Sequence, residues 1–231
     1  MLSVAFPAYN EEENVGPLLD EALAALPALT DTFEILVVDD GSTDSTAAVV
    51  RDHAQRHPEV RLISHPSNLG YGHALRTGLQ HAKGDAVALI DGDRQFRVAD
   101  LGELLAGLEH NDAVVGYRIK RMDPPHRRFI AAVYHRVLAA AFKLHVRDVD
   151  CGMKLYRREV IDALFGSLES RAAFISPELV IRARHAGFRI AEVGVPHHPR
   201  VAGRSKGATP KVIARTLGEI FRLRRSLQRP A

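Results

Sequence analysis

The segment FEILVVDDGSTD, residues 33–44, joins an unbroken apolar run to a turn rich in carboxylates, and the fold prediction starts from it. Two further apolar runs in the first hundred residues also end in acidic turns, PAYNEEE at 7–13 and LIDGDRQ at 89–95. The carboxyl ends of parallel strands lie at one edge of their sheet, where such folds bind ligands. The three turns therefore predict a polar edge that holds a nucleotide and a divalent metal.

Strand-like and helix-like segments alternate along the chain. The predicted strands span residues 2–7, 33–38, 60–65, 85–90, 112–118, 153–158 and 188–195. The predicted helices follow the first two acidic turns, start in the glycine-rich segment 68–82, and span 127–145, 176–186 and 210–228. Asn10 is a candidate cap for the first helix. We expect an α/β fold with a doubly wound, mostly parallel sheet and helices on both faces.

Length and composition bound the class of protein. The 231 residues suffice for one large domain at 1–208, followed by a basic amphipathic helix at 209–231. The single cysteine fits a reducing compartment, no apolar run approaches the roughly 20 residues of a membrane span, and no signal peptide is expected. We expect a cytoplasmic protein, with peripheral contact at the cytoplasmic membrane face left open. The oligomeric state stays undetermined.

The third acidic turn is the candidate metal site. Asp91 and Asp93 stand two residues apart at a strand end, and Gln95 offers a further oxygen. Mg²⁺ and Mn²⁺ prefer oxygen ligands and often bind one or two carboxylates plus substrate phosphate. Gly92 removes side-chain bulk where a diphosphate would approach. A solvated acidic turn is the alternative, but the flanking strand and the turn at 37–44 favour a site.

The other two motifs are less specific. Asp39 and Asp40 could accept hydrogen bonds from a base or a ribose, or simply form a turn before a helix, as Asp44 is expected to do. The segment NLGYG at 68–72 does not match the dinucleotide-binding fingerprint, because the next glycine is Gly78. We interpret it as a packing turn at a helix start.

Together these motifs resemble family 2 glycosyltransferases of the GT-A fold, and most closely the dolichol-phosphate or polyprenyl-phosphate mannosyl- and glucosyltransferases. The resemblance covers about residues 3–207. The motifs and residues on which the resemblance rests are PAYNEEEN at 7–14, VVDDGSTD at 37–44, Asn68-Leu69-Gly70, DGDRQ at 91–95, Gly116-Tyr117-Arg118, Asp148 with Cys151-Gly152, Glu178, and Arg200 through Gly203 to Ser205-Lys206. It implies transfer of a hexose from a GDP- or UDP-sugar to a lipid phosphate, with inversion and with Mg²⁺ or Mn²⁺.

The resemblance also implies roles for individual residues. The implied nucleotide pocket consists of Pro7, Tyr9, Glu11, Asp39 and Asp40. Asp91 is implied near the ribose and the metal, with Asp93 and Gln95 as direct metal ligands. Arg118, with Arg127 or Arg128, is implied at the acceptor phosphate, and Arg200, with Lys206, at the donor diphosphate. These assignments give catalytic roles to Asp91, Asp93, Arg118 and Arg200.

The nature of the acceptor determines whether a general base is needed. A phosphate monoester has a second pKa of about 6 and is largely dianionic at neutral pH, so a lipid phosphate needs no protein base. A hydroxyl acceptor would need one, and Glu178 and Asp148 are the candidates. His197 and His198 are adjacent, so on an extended segment they point in opposite directions and do not easily share one metal. Cys151 is expected in the core.

The acceptor and the partners stay open at this point. The helix at 210–228 is basic and amphipathic, which fits either a membrane surface or a docked helix with a solvated face. Other readings are a soluble acceptor such as a metabolite or peptide, a nucleotidyltransferase of similar fold, and a non-catalytic nucleotide-binding module. Nucleic-acid binding is not expected, because the sequence lacks a basic platform rich in aromatic residues.

Overall fold

A computed structural model of the chain describes residues 1–119, 125–170, 172–200 and 210–228, with backbone alone for 125–129 and 210–213. The strands in this described part are β1 (Leu2–Ala8), β2 (Phe33–Asp39), β3 (Val60–Ser64), β4 (Ala86–Ile90), β5 (Ala113–Arg118), β6 (Met153–Arg157) and β7 (Ile190–Val195). They form one sheet in the order β3-β2-β1-β4-β6-β5-β7. The prediction of an α/β fold with a mostly parallel sheet is confirmed.

Helices connect the strands and cover both faces of the sheet. They are α1 (Glu12–Ala25), α2 (Thr46–Arg56), α3 (Tyr71–His81), α4 (Leu101–Leu108), α5 (Pro125–Phe142), α6 (Arg158–Leu164), α7 (Ile175–His185) and α8 (Pro210–Leu227). The sequence interpretation missed α4 and α6. Helix α6 begins directly after β6, so the predicted strand at 153–158 extends into its first residue. No helix in the described part is long and apolar enough to cross a membrane.

The apolar core forms two layers, one on each face of the sheet. The first layer packs residues of α1, α2 and α4 against the sheet, with Phe6, Leu19 and Leu104 at its centre. The second packs α3, α6 and α7 against the other face and also includes Ile220 and Leu223 of α8. The uninterrupted burial of β2 from Glu34 onward agrees with its continuous apolar run.

The predicted division between residues 208 and 209 lies outside the described residues and stays a prediction.

Strand β6 runs against its neighbours, and this reversal determines what the polar edge contains. β6 pairs antiparallel with both β4 and β5, whereas β1, β2, β3, β4, β5 and β7 run parallel to one another. The residues before β6 therefore reach the edge where the other strands end. The segment Asp148–Gly152 joins the three acidic turns, the end of β5 at Arg118, and the residues after β7.

Candidate active site

The first two acidic turns are bonded to each other. Asn10 Oδ1 accepts from the Thr43 backbone N–H at 2.9 Å, and its own N–H donates to Ser42 Oγ at 2.9 Å. The prediction that Asn10 caps α1 is wrong, because Glu11 occupies the cap position and Asn10 adopts a positive φ of 55°. Asp44 accepts from Thr46 N–H at 2.9 Å and from Glu12 N–H at 3.2 Å, so it holds the two helix starts as expected of a turn residue.

The second turn gives its two aspartates different environments. Asp40 is buried, and its carboxylate accepts from the backbone N–H groups of Leu69 at 2.9 Å and Gly70 at 2.7 Å. His65 Nδ1 lies 2.7 Å from the same carboxylate. Both oxygens of Asp40 are thus engaged within the protein, and its contact with a nucleotide stays a prediction. Asp39 accepts from Ser42 N–H at 3.0 Å through Oδ1.

The third turn brings its carboxylates close to each other. Burial and then the charge of Asp93 raise the pKa of Asp91 to about 6, while a hydrogen bond from Tyr71 acts in the opposite direction. Gln95 donates its backbone N–H to Asp93 at 3.2 Å and its side-chain amide to the His198 carbonyl at 3.1 Å, so its amide oxygen is the atom that could bind a metal. Gly92 lies against β1, where an added Cβ would meet the Pro7 carbonyl at 2.7 Å.

Arg200 supplies a positive charge at this turn. Its Nη2 donates to Asp93 Oδ2 at 2.5 Å. The segment that carries it is held by the backbone of His198, whose N–H donates to the Gln95 carbonyl at 2.9 Å. The predicted diphosphate-binding arginine and the predicted metal ligand are therefore in contact. Lys206, its predicted partner, lies outside the described residues.

Arg118 forms a two-pronged ion pair with Asp148. Arg118 Nε lies 2.6 Å from Asp148 Oδ2 and Nη2 lies 2.8 Å from Oδ1. The two side chains are 11% and 6% exposed. This pairing occupies both oxygens of Asp148, which argues against it as the general base. Arg127 and Arg128, the alternatives for the acceptor phosphate, have side chains outside the described part of the chain.

A buried lysine behind this site escaped the sequence interpretation. Lys154 is 1% exposed on β6, and its Nζ donates to Ser176 Oγ at 2.8 Å and to the Cys151 carbonyl. Burial lowers its pKa, while the charges of nearby groups, Asp91 among them, raise it. Met153, Leu155 and Tyr156 are also buried on β6, so a lysine between apolar strand positions was the available signal.

Glu178, the other candidate base, is a structural residue of α7. It is 1% exposed and accepts from the backbone N–H groups of Glu169 at 2.9 Å and Ser170 at 2.7 Å. Its carboxylate also pairs with Arg182 Nε at 2.7 Å. Three neighbouring groups thus hold a carboxylate that solvent does not reach. The structure does not support Glu178 as a general base.

The remaining predicted residues lie along or near the edge. Pro7 and Tyr9 are half-buried at the end of β1, and Glu11 accepts from the Asn14 side chain at 2.5 Å. Cys151 is fully buried, and burial raises the pKa of its thiol to about 12, which agrees with a core role. His197 packs on the Phe96 ring with centroids 5.5 Å apart.

The donor chemistry of the third turn fits a hard divalent cation. Asp91 and Asp93 are close enough for the charge of one to raise the pKa of the other, and a cation beside them would relieve that repulsion. Within the described part of the chain, no group of three or more His, Cys, Asp or Glu side chains forms a complete protein-ligand set. Such a pair suits Mg²⁺ or Mn²⁺, which usually keep water or substrate phosphate among their ligands.

Solved structures share this architecture. A glucosyl-3-phosphoglycerate synthase from Mycobacterium tuberculosis in complex with Mn²⁺, UDP-glucose and phosphoglyceric acid aligns over 100% of this chain and 81% of that chain, with 22% identity and a TM-score of 0.71. The mannosyltransferase PcManGT from Pyrobaculum calidifontis in complex with GDP-Man and Mn²⁺ aligns over 100% of this chain and 65% of that chain, with 25% identity and a TM-score of 0.66. The fold is the GT-A fold of glycosyltransferases.

The sequence comparison defines the family. The model of glycosyl transferase family 2 matches residues 3–165, and the chain belongs to this family. A dolichyl-phosphate beta-glucosyltransferase of Trichomonas vaginalis is 33% identical over 206 residues, covering 82% of this chain and 61% of the relative. A dodecaprenyl-phosphate galacturonate synthase of Rhizobium johnstonii is 34% identical over 234 residues, covering 96% of this chain and 67% of the relative. The chain spans about three fifths of the first of these relatives.

Proposed function

We propose that the protein transfers a hexose of the mannose or glucose type from a nucleoside diphosphate sugar to a polyprenyl or dolichyl phosphate, with inversion and with dependence on Mg²⁺ or Mn²⁺. The observation that carries the proposal is the contact between Arg200 and Asp93 beside Asp91 at the carboxyl edge of the sheet. A diphosphate and a divalent cation need these two kinds of charge together. Relatives named for transfer to dolichyl or dodecaprenyl phosphate support this acceptor class.

In this proposal the nucleotide-sugar donor binds at the acidic edge of the sheet. Asp93 and Asp91 would hold the cation, with the Gln95 amide oxygen as a further ligand. Arg200, now bonded to Asp93, would donate to a phosphate oxygen of the donor. A cation held here would supply positive charge for the nucleoside diphosphate leaving group. Lys206 is assigned to the same diphosphate from the family resemblance.

The nucleoside lies against the first two turns. In this proposal Pro7, Tyr9 and Glu11 contact the nucleoside on one side, and Asp39, whose Oδ1 accepts from Ser42 N–H, contributes from the second turn. The bonds between Asn10 and Thr43 keep these two turns at a constant separation. Asp40 contributes by holding the backbone of residues 69–70 rather than by touching the ligand.

The acceptor phosphate binds near Arg118 at the end of β5. Asp148 orients the guanidinium group through two bonds, and the group reaches the phosphate from this fixed position. Neither candidate base is available in this arrangement, since Asp148 and Glu178 are both held in ion pairs. The acceptor phosphate therefore attacks as a dianion, without proton transfer to a protein group.

A two-stage experiment tests this function. UDP- and GDP-sugars are first screened by thermal shift with and without Mn²⁺, since a ligand at 100 times its dissociation constant stabilises by about 2.7 kcal/mol. The stabilising donor is then incubated with polyprenyl phosphate, with a soluble phosphorylated acceptor, or with neither. Release of nucleoside diphosphate only with polyprenyl phosphate supports the proposal. Turnover with the soluble acceptor alone would contradict the acceptor class. Release of inorganic diphosphate in a separate incubation with a nucleoside triphosphate and a sugar 1-phosphate would indicate a nucleotidyltransferase.

A further inference from the structure

Tyr71 contacts a predicted metal ligand, although the sequence interpretation assigned it only to a packing turn. Its hydroxyl donates to Asp91 Oδ1 at 2.6 Å. The Tyr71 side chain carries a phenol, which is protonated at neutral pH and therefore acts as the donor in this bond. Tyr71 is the first residue of α3.

Three features hold the helix start that presents Tyr71. The buried Asp40 carboxylate accepts from the N–H groups of Leu69 and Gly70, the two residues before it. Gly70 has a φ of 100°, which a residue with a side chain rarely adopts. Gly72 packs so tightly that an added Cβ would lie 2.2 Å from the Ala172 carbonyl oxygen. The position of the hydroxyl is therefore set by the backbone on both sides of Tyr71.

The opposite side of the Asp91 carboxylate rests against Gly152. A Cβ added at Gly152 would lie 2.0 Å from Asp91 Oδ2 and 2.4 Å from its Cγ. The backbone is also joined here, because Asp91 N–H donates to the Gly152 carbonyl at 3.1 Å. Asp91 is thus enclosed between a hydroxyl on one oxygen and a glycine backbone beside the other.

We infer that Tyr71 is a positioning residue for the metal and diphosphate site: it orients the Asp91 carboxylate toward the bound cation, with Gly152 leaving the space that this orientation needs. An ionised carboxylate has about four lone-pair sites, so one bond from Tyr71 leaves Asp91 able to bind a ligand. The inference rests on the proposed function. Removing a residue that hydrogen-bonds a metal ligand typically weakens metal affinity by about 10–100-fold.

The test uses Tyr71→Phe, which removes the hydroxyl and keeps the ring. The full chain is titrated with Mn²⁺ at saturating UDP or GDP, whichever stabilises the wild type, and the midpoint of thermal stabilisation is recorded. We expect the Mn²⁺ midpoint to rise about 10-fold or more. The affinity for the nucleotide without metal should stay unchanged. Tyr156→Phe is the matched control, because that buried hydroxyl has no hydrogen-bond partner in the described structure.

Gly152→Ala tests the other side of the same carboxylate. The new methyl group forces Asp91 to rotate while the Tyr71 hydroxyl remains, so the Mn²⁺ midpoint should rise as it does in Tyr71→Phe. An unchanged or lower Mn²⁺ midpoint in Tyr71→Phe would overturn the inference, as would an equal loss of nucleotide affinity with and without metal. Absence of any Mn²⁺-dependent nucleotide binding by the wild type would instead refute the proposed function.

Discussion

Arg200 Nη2 lies 2.5 Å from Asp93 Oδ2, although 107 residues separate them in the chain. The contact joins the segment after β7 to the turn after β4. Beside it, the His198 N–H donates to the Gln95 carbonyl, and the Gln95 side-chain amide donates to the His198 carbonyl. A guanidinium group binds phosphate well, and a carboxylate binds a divalent cation. The two side chains are therefore placed where a diphosphate could bind Arg200 and a cation could bind Asp93.

Asp93→Asn should abolish the metal-dependent part of nucleotide binding. The substitution removes one carboxylate from the pair and leaves Arg200 with a weaker acceptor, so metal-free nucleotide binding should be retained. The measurement is the thermal stabilisation by nucleotide with and without Mn²⁺. At 100 times the dissociation constant, the wild-type value corresponds to about 2.7 kcal/mol. Asp52→Asn, an exposed aspartate on α2, is the control. Full retention of the Mn²⁺ effect in Asp93→Asn would show that the metal assignment is wrong.

The raised pKa of Asp91 predicts two pH effects. Below about pH 6 the carboxylate becomes protonated, so Mn²⁺ binding should weaken as pH falls from 7 to 5. The folded-state pKa exceeds the unfolded value, so without metal the contribution of Asp91 to stability is fully present below about pH 3.8 and is lost as pH rises through about 6. Asp91→Asn should therefore be more stable than the wild type at pH 7 in metal-free denaturation, with the difference vanishing near pH 4. A less stable variant at pH 7 would contradict this.

The pair of Arg118 and Asp148 should contribute strongly to stability when only one partner is removed. Both side chains are nearly buried, so Arg118→Leu leaves an uncompensated carboxylate and should cost about 3–5 kcal/mol in urea denaturation. The double substitution Arg118→Leu with Asp148→Leu removes both charges and should recover most of that loss. Additive losses in the double variant would mean that the two side chains do not act as a pair.

Glu178→Gln should change stability and leave the pH dependence of turnover unaltered. The substitution weakens the bond to Arg182 and presents an amide group to the Ser170 N–H, which should cost about 1–3 kcal/mol. Glu219→Gln, another buried glutamate of the same helical layer, is the comparison. Loss of the acidic limb of the pH–rate profile, where a general base becomes protonated, in Glu178→Gln alone would restore this residue as a candidate base.

Helix α8 should bind anionic membrane surfaces if the acceptor is a lipid phosphate. Leu217 and Phe221 are 52% and 62% exposed, one helical turn apart, and exposed arginines of α8 flank them. We expect co-sedimentation with vesicles that contain anionic phospholipid, reduced by the double substitution Leu217→Ser and Phe221→Ser. Arg51→Ser on α2, in the other helical layer, should bind as the wild type does. Equal binding by the double variant would exclude this surface.

Much of the fold could be predicted because burial and periodicity are local properties. Every predicted strand corresponds to an observed one with ends within two residues, and the three acidic turns lie at the expected edge. The direction of β6 could not be predicted, since a short apolar run indicates a buried strand but not whether that strand pairs parallel or antiparallel with its neighbours. The reversal depends on pairing with β4 and β5, which bring in backbone partners from distant parts of the chain.

The candidate site was predicted in outline and corrected in detail. Asp91, Asp93 and Arg200 are brought together as their motifs indicated. Asp40 was predicted in the nucleotide pocket and Glu178 as a candidate base, yet backbone N–H groups and a histidine or an arginine engage both oxygens of Asp40 and both of Glu178. No spacing rule signals these bonds, because most of the donors come close only after folding.

Residue types and their order were thus sufficient for the α/β architecture, the acidic edge and the charges available to a nucleotide and a metal. The folded chain was needed to show that Asp40 holds the backbone of residues 69–70 while Asp93 contacts Arg200. It was also needed to reveal Tyr71, whose hydroxyl reaches Asp91 because Asp40 holds the preceding backbone. The physical reason is that hydrogen-bond satisfaction depends on contacts between residues 20–30 positions apart, whereas strand and helix preferences arise within a few residues.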